Sequence, residues 1–137
     1  MRVKLDNGAK LPNRVHPTDA GLDLFALKSG WVRAKKSKTF ETGVHVELPE
    51  GTTGILLPKS GLMCINNIIS FGVVDEPYRG EIMVHLFNLG DKDYWVEKGD
   101  KIGQILVMNV RYEDIEVVDK LSESDRGECG FGSSGKQ

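Results

Sequence analysis

Three short stretches of the chain gather residue types that bind phosphate or activate water. In RGECGFGSSG (126–135), Gly127, Gly130, Gly132 and Gly135 let the backbone come close to a ligand and turn its amides outward, while Ser133 and Ser134 add hydroxyl donors. Arg126 supplies a planar fork suited to a phosphate, and Phe131 a flat face on which a base could stack. The same Gly/Ser composition also makes a plain linker. The second stretch, PKSGL (58–62), ends an apolar run at a proline and places Lys59, Ser60 and Gly61 beyond it; it reads as a ligand cradle or as a strand-to-helix turn with Ser60 as N-cap. The third, FGVVDEPYRGEI (71–82), sets Asp75 directly after an apolar strand, and Pro77 turns the chain toward Tyr78 and Arg79. Asp and Pro build turns unaided, which leaves the aromatic neighbour to be explained.

The elements that must position these stretches are strands. Phe40, Thr42, Val44, Val46 and Leu48 alternate with Glu41, Gly43, His45 and Glu47, the two-fold period of a half-buried strand. Further strands are expected at 2–5, 22–26, 53–57, 68–71, 81–89, 102–109 and 115–118, separated by Gly, Pro, Asp and Asn. Many short strands with frequent turns predict an all-β sandwich or barrel, and the only helical turn expected is at 60–65. The strand at 81–89 is apolar on both sides: Ile82, Val84 and Leu86 point one way, and Met83, Phe87 and Leu89 the other. It needs two covers, and the second is either a packed sheet or another subunit. After Val118 the chain holds few apolar side chains, so a β-domain at 1–118 followed by a flexible arm at 119–137 is expected.

Composition narrows the function classes. The 137 residues suffice for one core, and a net charge of −2 gives no bulk attraction to nucleic acid. The basic run RAKKSK (33–38) reads as a solvated turn or protected strand edge, Asp100 as a turn former, and Trp31 and Trp95 as packing or interface residues. Apolar runs are far shorter than the roughly 20 residues of a membrane span, and no secretory signal is visible, so a cytoplasmic location is expected, or the host-cell cytoplasm for a viral protein. Cys64 and Cys129 read as free thiols, and His16, His45 and His85 lie too far apart for a zinc motif.

Five segments in order, AGLDLFA (20–26), PKSGL (58–62), GVVDEPYRGEI (72–82), KGDKIGQILV (98–107) and RGECGFGSSG (126–135), resemble the five motifs of the trimeric deoxyuridine triphosphatase family. The resemblance spans nearly the whole chain. It implies a jelly-roll-like β domain and a homotrimer with sites at subunit interfaces, each closed by a C-terminal arm. It also implies hydrolysis of dUTP to dUMP and pyrophosphate with Mg2+.

Carried onto this chain, the family pattern makes Asp75 the carboxylate that deprotonates the attacking water. Asp23 is placed near the magnesium ion, through water. Lys59, Ser60, Gly61, Gln104, Arg126, Ser133 and Ser134 fall around the triphosphate, Phe131 and Gly132 in the closing arm, and Tyr78 against the deoxyribose. Main-chain groups of a hairpin at about 69–72, including Gly72, are implied to read uracil. Three positions depart from the commonest pattern: Lys59 stands where arginine is usual, Pro77 lies in the third motif, and Cys129 stands where glycine is usual. Lysine keeps the charge without the bidentate fork. Two other readings use the same fold: a dCTP deaminase-like enzyme, which needs an acid/base group at the nucleobase, and a nucleotide-responsive module that binds a regulatory protein.

Overall fold

Alternating burial organises this chain, and the strands follow from it. The computed structural model describes residues 1–128 and 130. The elements are β1 (Arg2–Leu5), β2 (Leu22–Phe25), β3 (Gly30–Val32), β4 (Ser37–Glu47), β5 (Thr52–Leu57), α1 (Ser60–Asn66), β6 (Ile68–Ile69), β7 (Gly72–Val74), β8 (Glu81–Asn88), β9 (Tyr94–Val96) and β10 (Lys101–Asn109). One antiparallel sheet runs β1-β4-β8-β6 and the other β2-β10-β5-β7, with β3 and β9 as a separate ribbon. The expected class holds: an all-β sandwich with one short helix. No helix of the described residues is long and apolar enough to cross a membrane.

The inner faces meet in one core. Val84 and Leu86 of β8, Val44 and Val46 of β4, and Leu22, Leu24, Leu56, Ile102 and Ile105 of the opposing sheet are all buried there. Each such side chain contributes about 1.5–3 kcal/mol on leaving water. The outer face of β8 is covered only in part within one protomer: Phe71 stacks on Phe87, but Met83 is 49% exposed, and Leu89, just past the strand, 56%.

Three expectations need correction. The segment at 115–118 forms no strand; Ile115 and Val117 are 93% and 94% exposed, because no strand of this protomer pairs with them. Ser60 is not the N-cap of α1; Lys59 takes that position, with no side-chain cap bond. The stretch at 69–72 is not a paired hairpin. β6 joins β8 in one sheet and β7 joins β5 in the other, so Ser70 and Phe71 carry the chain from sheet to sheet. The three-residue strands β3, β7 and β9 are too short to show a two-fold period in sequence, and they form by pairing with strands elsewhere in the chain.

Candidate active site

The sheet β2-β10-β5-β7 carries the predicted residues of motifs one to four, in two groups. In the first group, β2 turns Leu22 and Leu24 into the core, so Asp23 between them faces outward. Yet Asp23 is only 3% exposed. Lys59 Nζ lies 2.5 Å from its Oδ1 and Lys101 Nζ 2.7 Å from its Oδ2. Burial is the largest single influence on this carboxyl and works to raise its pKa, but the two ammonium groups together outweigh it and hold the pKa below the ordinary value.

Directly opposite Asp23 in the β2–β10 register stands Gln104, which is also opposite Leu57 of β5. Its Nε2 donates to the Pro58 carbonyl at 3.0 Å. Its Oε1 lies so near Gly21 that a Cβ there would come within 2.2 Å, so a side chain at Gly21 would displace the carboxamide. Gln104 thereby ties the first, second and fourth motifs together. Ser60 and Gly61 follow at the exposed start of α1.

Lys101 is the member of this group that sequence reasoning missed. It precedes Gln104 by three positions, an odd offset that in a regular strand puts the two on opposite faces. A register shift between Lys101 and Gly103 breaks the alternation, so the Lys101 ammonium reaches Asp23 while Gln104 is the residue paired with it. Only the bulge could have signalled this.

The second group stands at the end of β7. Asp75 lies on an exposed turn closed by the Tyr78 amide, which donates to the Asp75 carbonyl at 3.0 Å. Tyr78 Oη donates to the Glu81 carbonyl at 3.0 Å. Its ring covers Gly80, where a Cβ would fall 2.3 Å from the phenolic oxygen, so the aromatic can lie over the turn only because residue 80 has no side chain. Asp75, Tyr78 and Met83 line an open depression of about 330 Å³. Glu81 was also missed: its Oε1 accepts the Thr42 and Gly43 amides at 3.0 and 2.7 Å, anchoring the start of β8 to β4.

One protomer does not bring the two groups together. Gly54 is opposite Val74, so Asp75 lies level with Thr53, four residues down β5 from the Leu57 row that holds Asp23 and Gln104. That is about 13 Å along the strand. Gly72, opposite Leu56, lies next to the first group's row. Arg126 lies in an exposed turn at 125–128, where the Gly127 amide donates to the Ser124 carbonyl. Phe131, Gly132, Ser133, Ser134 and Cys129 are outside the described residues. Asp100 accepts the Glu97 amide in a turn, while Arg33 and Lys35 of the basic run pair with Asp93 and Asp91.

The donor set suits magnesium only in part. No group of three or more His, Cys, Asp or Glu side chains among the described residues could hold a metal ion. Asp23 is an ionised carboxylate, but both of its oxygens sit on ammonium groups. A magnesium ion that keeps its waters and binds through substrate phosphates is compatible with this arrangement; a cage of protein ligands is not.

Comparison with known proteins agrees with the motif order. A dUTPase family model matches residues 7–135. The deoxyuridine 5'-triphosphate nucleotidohydrolase of Clostridium tetani is 42% identical over 99% of this chain and 97% of its own length. That of Clostridium acetobutylicum is 43% identical, covering 96% and 93%. Among solved structures, the dUTPase of Staphylococcus bacteriophage 80alpha with dUPNHPP superposes with a TM-score of 0.92 at 29% identity, over 98% of this chain and 97% of that one. By sequence along nearly its whole length and by the arrangement of its strands, the chain belongs to the dUTPase family.

Proposed function

We propose that the chain hydrolyses dUTP to dUMP and pyrophosphate at a site assembled between protomers of a homotrimer, the Asp75 turn of one meeting the Asp23–Gln104 row of another. The observation that carries this reading is the separation of about 13 Å between the two groups along one sheet. Groups that far apart in a single protomer cannot both stand at one α-phosphorus, whereas groups from neighbouring copies can. The uncovered apolar side chains Met83 and Leu89, and the unpaired Ile115 and Val117, supply surface for such neighbours.

Asp75 takes a proton from water as the water oxygen bonds to the α-phosphorus, and the bond from that phosphorus to the bridging oxygen breaks, releasing pyrophosphate. Ser60, Gly61, Gln104 and Arg126 bind phosphate oxygens. Tyr78, braced on Glu81, lies against the deoxyribose and leaves no room for a ribose 2′-hydroxyl. Main-chain groups around Gly72 read uracil. The arm at 119–137 closes the site with Phe131, Gly132, Ser133 and Ser134. Lys59 acts through its ion pair with Asp23 more than as a direct phosphate ligand. Magnesium, held near Asp23 through water, would neutralise charge on the triphosphate. A phage phi11 dUTPase with the same fold is described with a structural Mg(II) ion.

Pyrophosphate release measured with dUTP, UTP, dCTP and dTTP tests the reading. Efficient turnover of dUTP alone is expected; ammonia released from dCTP would instead indicate a deaminase. One observation favours an added regulatory use: phage 80alpha dUTPases are described as controlling transfer of virulence genes. A partner that is captured by the purified protein and whose binding changes with dUTP would establish that use, and unchanged binding would remove it.

A further inference from the structure

Asp75 stands on an exposed turn, and a clip outside the predicted site residues holds that turn to the sheet. Glu76, next in the chain, accepts through Oε2 the Gly51 amide and the Tyr112 hydroxyl, each at 2.7 Å. The Gly51 carbonyl in turn accepts the Val110 amide at 2.8 Å. These bonds close a ring through three segments: the turn between β4 and β5, the Asp75 turn, and the chain leaving β10. Glu76, Val110 and Tyr112 of this ring line an open depression of about 450 Å³ that Asp75 also borders.

The other bonds of the turn are local. Tyr78 donates to the Asp75 carbonyl and Arg79 to the Glu76 carbonyl, which folds the turn on itself but does not fix it in space. Thr53 Oγ1 donates to the Val74 carbonyl and anchors only its near end. Beyond that point two contacts reach other segments: His45 Nδ1 of β4 meets the Arg79 carbonyl at 3.1 Å at the far end of the turn, and Glu76 makes the one adjacent to Asp75. The Tyr112 hydroxyl first, and the Gly51 amide second, hold the Glu76 carboxyl below its usual pKa, and the carboxylate pushes the Tyr112 hydroxyl up. Near neutral pH the clip is thus a charged acceptor shared by two neutral donors, the stronger kind of hydrogen bond.

We infer that Glu76 is a positioning residue for the water-activating carboxylate: through Gly51 and Tyr112 it fixes where Asp75 stands and, in the same clip, the direction in which the chain leaves β10 toward the C-terminal arm. The inference rests on the reading of Asp75 as the base. A base displaced by a fraction of an ångström loses rate without losing substrate, because binding is carried by other residues. Tyr112→Phe removes one oxygen from an exposed ring and leaves the backbone untouched.

The test is steady-state pyrophosphate release from dUTP by the full chain, alongside thermal unfolding. Glu76→Ala should lower kcat about tenfold with KM changed less than about twofold, and Tyr112→Phe should lower kcat by about three- to fivefold. Glu76→Gln, which keeps an acceptor oxygen, should restore most of the rate. The double variant Glu76→Ala/Tyr112→Phe should match Glu76→Ala alone, since both break one clip. Unchanged kcat in Tyr112→Phe and Glu76→Ala, a loss confined to KM, or failure of Glu76→Gln to restore the rate would overturn the inference. Asp75→Asn separates the two readings: if it is inactive while the clip variants are normal, only the clip fails, and if it is fully active, the base assignment fails. Should Glu76→Ala not fold, Tyr112→Phe decides by itself.

Discussion

Asp23 and Asp75 belong to the same four-stranded sheet, but their surroundings differ in almost every respect. Asp23 lies within β2, buried, with a lysine on each oxygen, and its position is set by strand pairing, a bulge and the Gln104 carboxamide. Asp75 stands just past the end of β7 on an exposed turn, placed by a few hydrogen bonds from neighbouring loops. The first arrangement fixes charge in a rigid frame. The second leaves a carboxylate open to water. A site that needs both must draw them from different parts of the sheet, and here those parts are too far apart within one chain.

The largest effect should fall on the exposed member. Asp75→Asn is expected to reduce kcat for dUTP by about 10²–10⁴-fold, the usual range for losing a general base, with little change in thermal stability. Pyrophosphate release and an unfolding scan on the same sample would check both halves. Next comes complementation. If the groups meet only between protomers, Asp75→Asn and Gln104→Ala chains, each inactive alone, should regain about a quarter of wild-type activity when refolded together in equal amounts. No recovery would mean that each site is built within one protomer.

The buried member should respond in stability. Asp23→Ala leaves two ammonium groups without their carboxylate, at a cost of about 1–3 kcal/mol by urea unfolding, part of it relieved because Lys101 can rehydrate. Since the pKa of Asp23 is lowered on folding, its contribution is present above the unfolded value near 3.8 and is lost as pH falls through the folded value. Asp23→Asn should therefore flatten the acid side of the stability curve. The smallest effect is expected at His45, whose ring nitrogens contact Asp6 Oδ2 and the Arg79 carbonyl, each at 3.1 Å. The Asp6 hydrogen bond first, then the Arg79 carbonyl, raise its pKa above 6.5. Its stabilisation is complete below 6.5 and fades as pH rises through the folded value. His45→Gln should remove that slope from Tm measured between pH 6 and pH 8.

Much of this was legible in the sequence, for reasons that particular residues make clear. The alternation from Phe40 to Leu48 gave β4, because a strand with one wet face shows its period. The motifs singled out Asp75, Tyr78, Asp23 and Gln104 as candidates. Lys101 stayed hidden because a bulge reverses its face, and Glu76 because its partners Gly51 and Tyr112 are distant in the chain. The strand expected at 115–118 has the right residues, but a strand exists only where an edge receives it. The Ser70–Phe71 crossing could not be read either, since which sheet a short strand joins depends on the whole topology.

The ribbon of β3 and β9 has an optical consequence. The chain has two tryptophans, and Trp31 and Trp95 face each other across this ribbon with ring centroids 5.1 Å apart. At that spacing their excited states couple, so the protein should show a paired exciton band in circular dichroism. Its tryptophan emission is then a local instrument. It reports the integrity of one two-stranded ribbon, whereas in a Tyr94→Phe variant, which leaves Tyr78 and Tyr112 as the tyrosines, tyrosine emission reports the turn that bears Asp75. Heating while following both colours would reveal whether ribbon and turn melt as one unit.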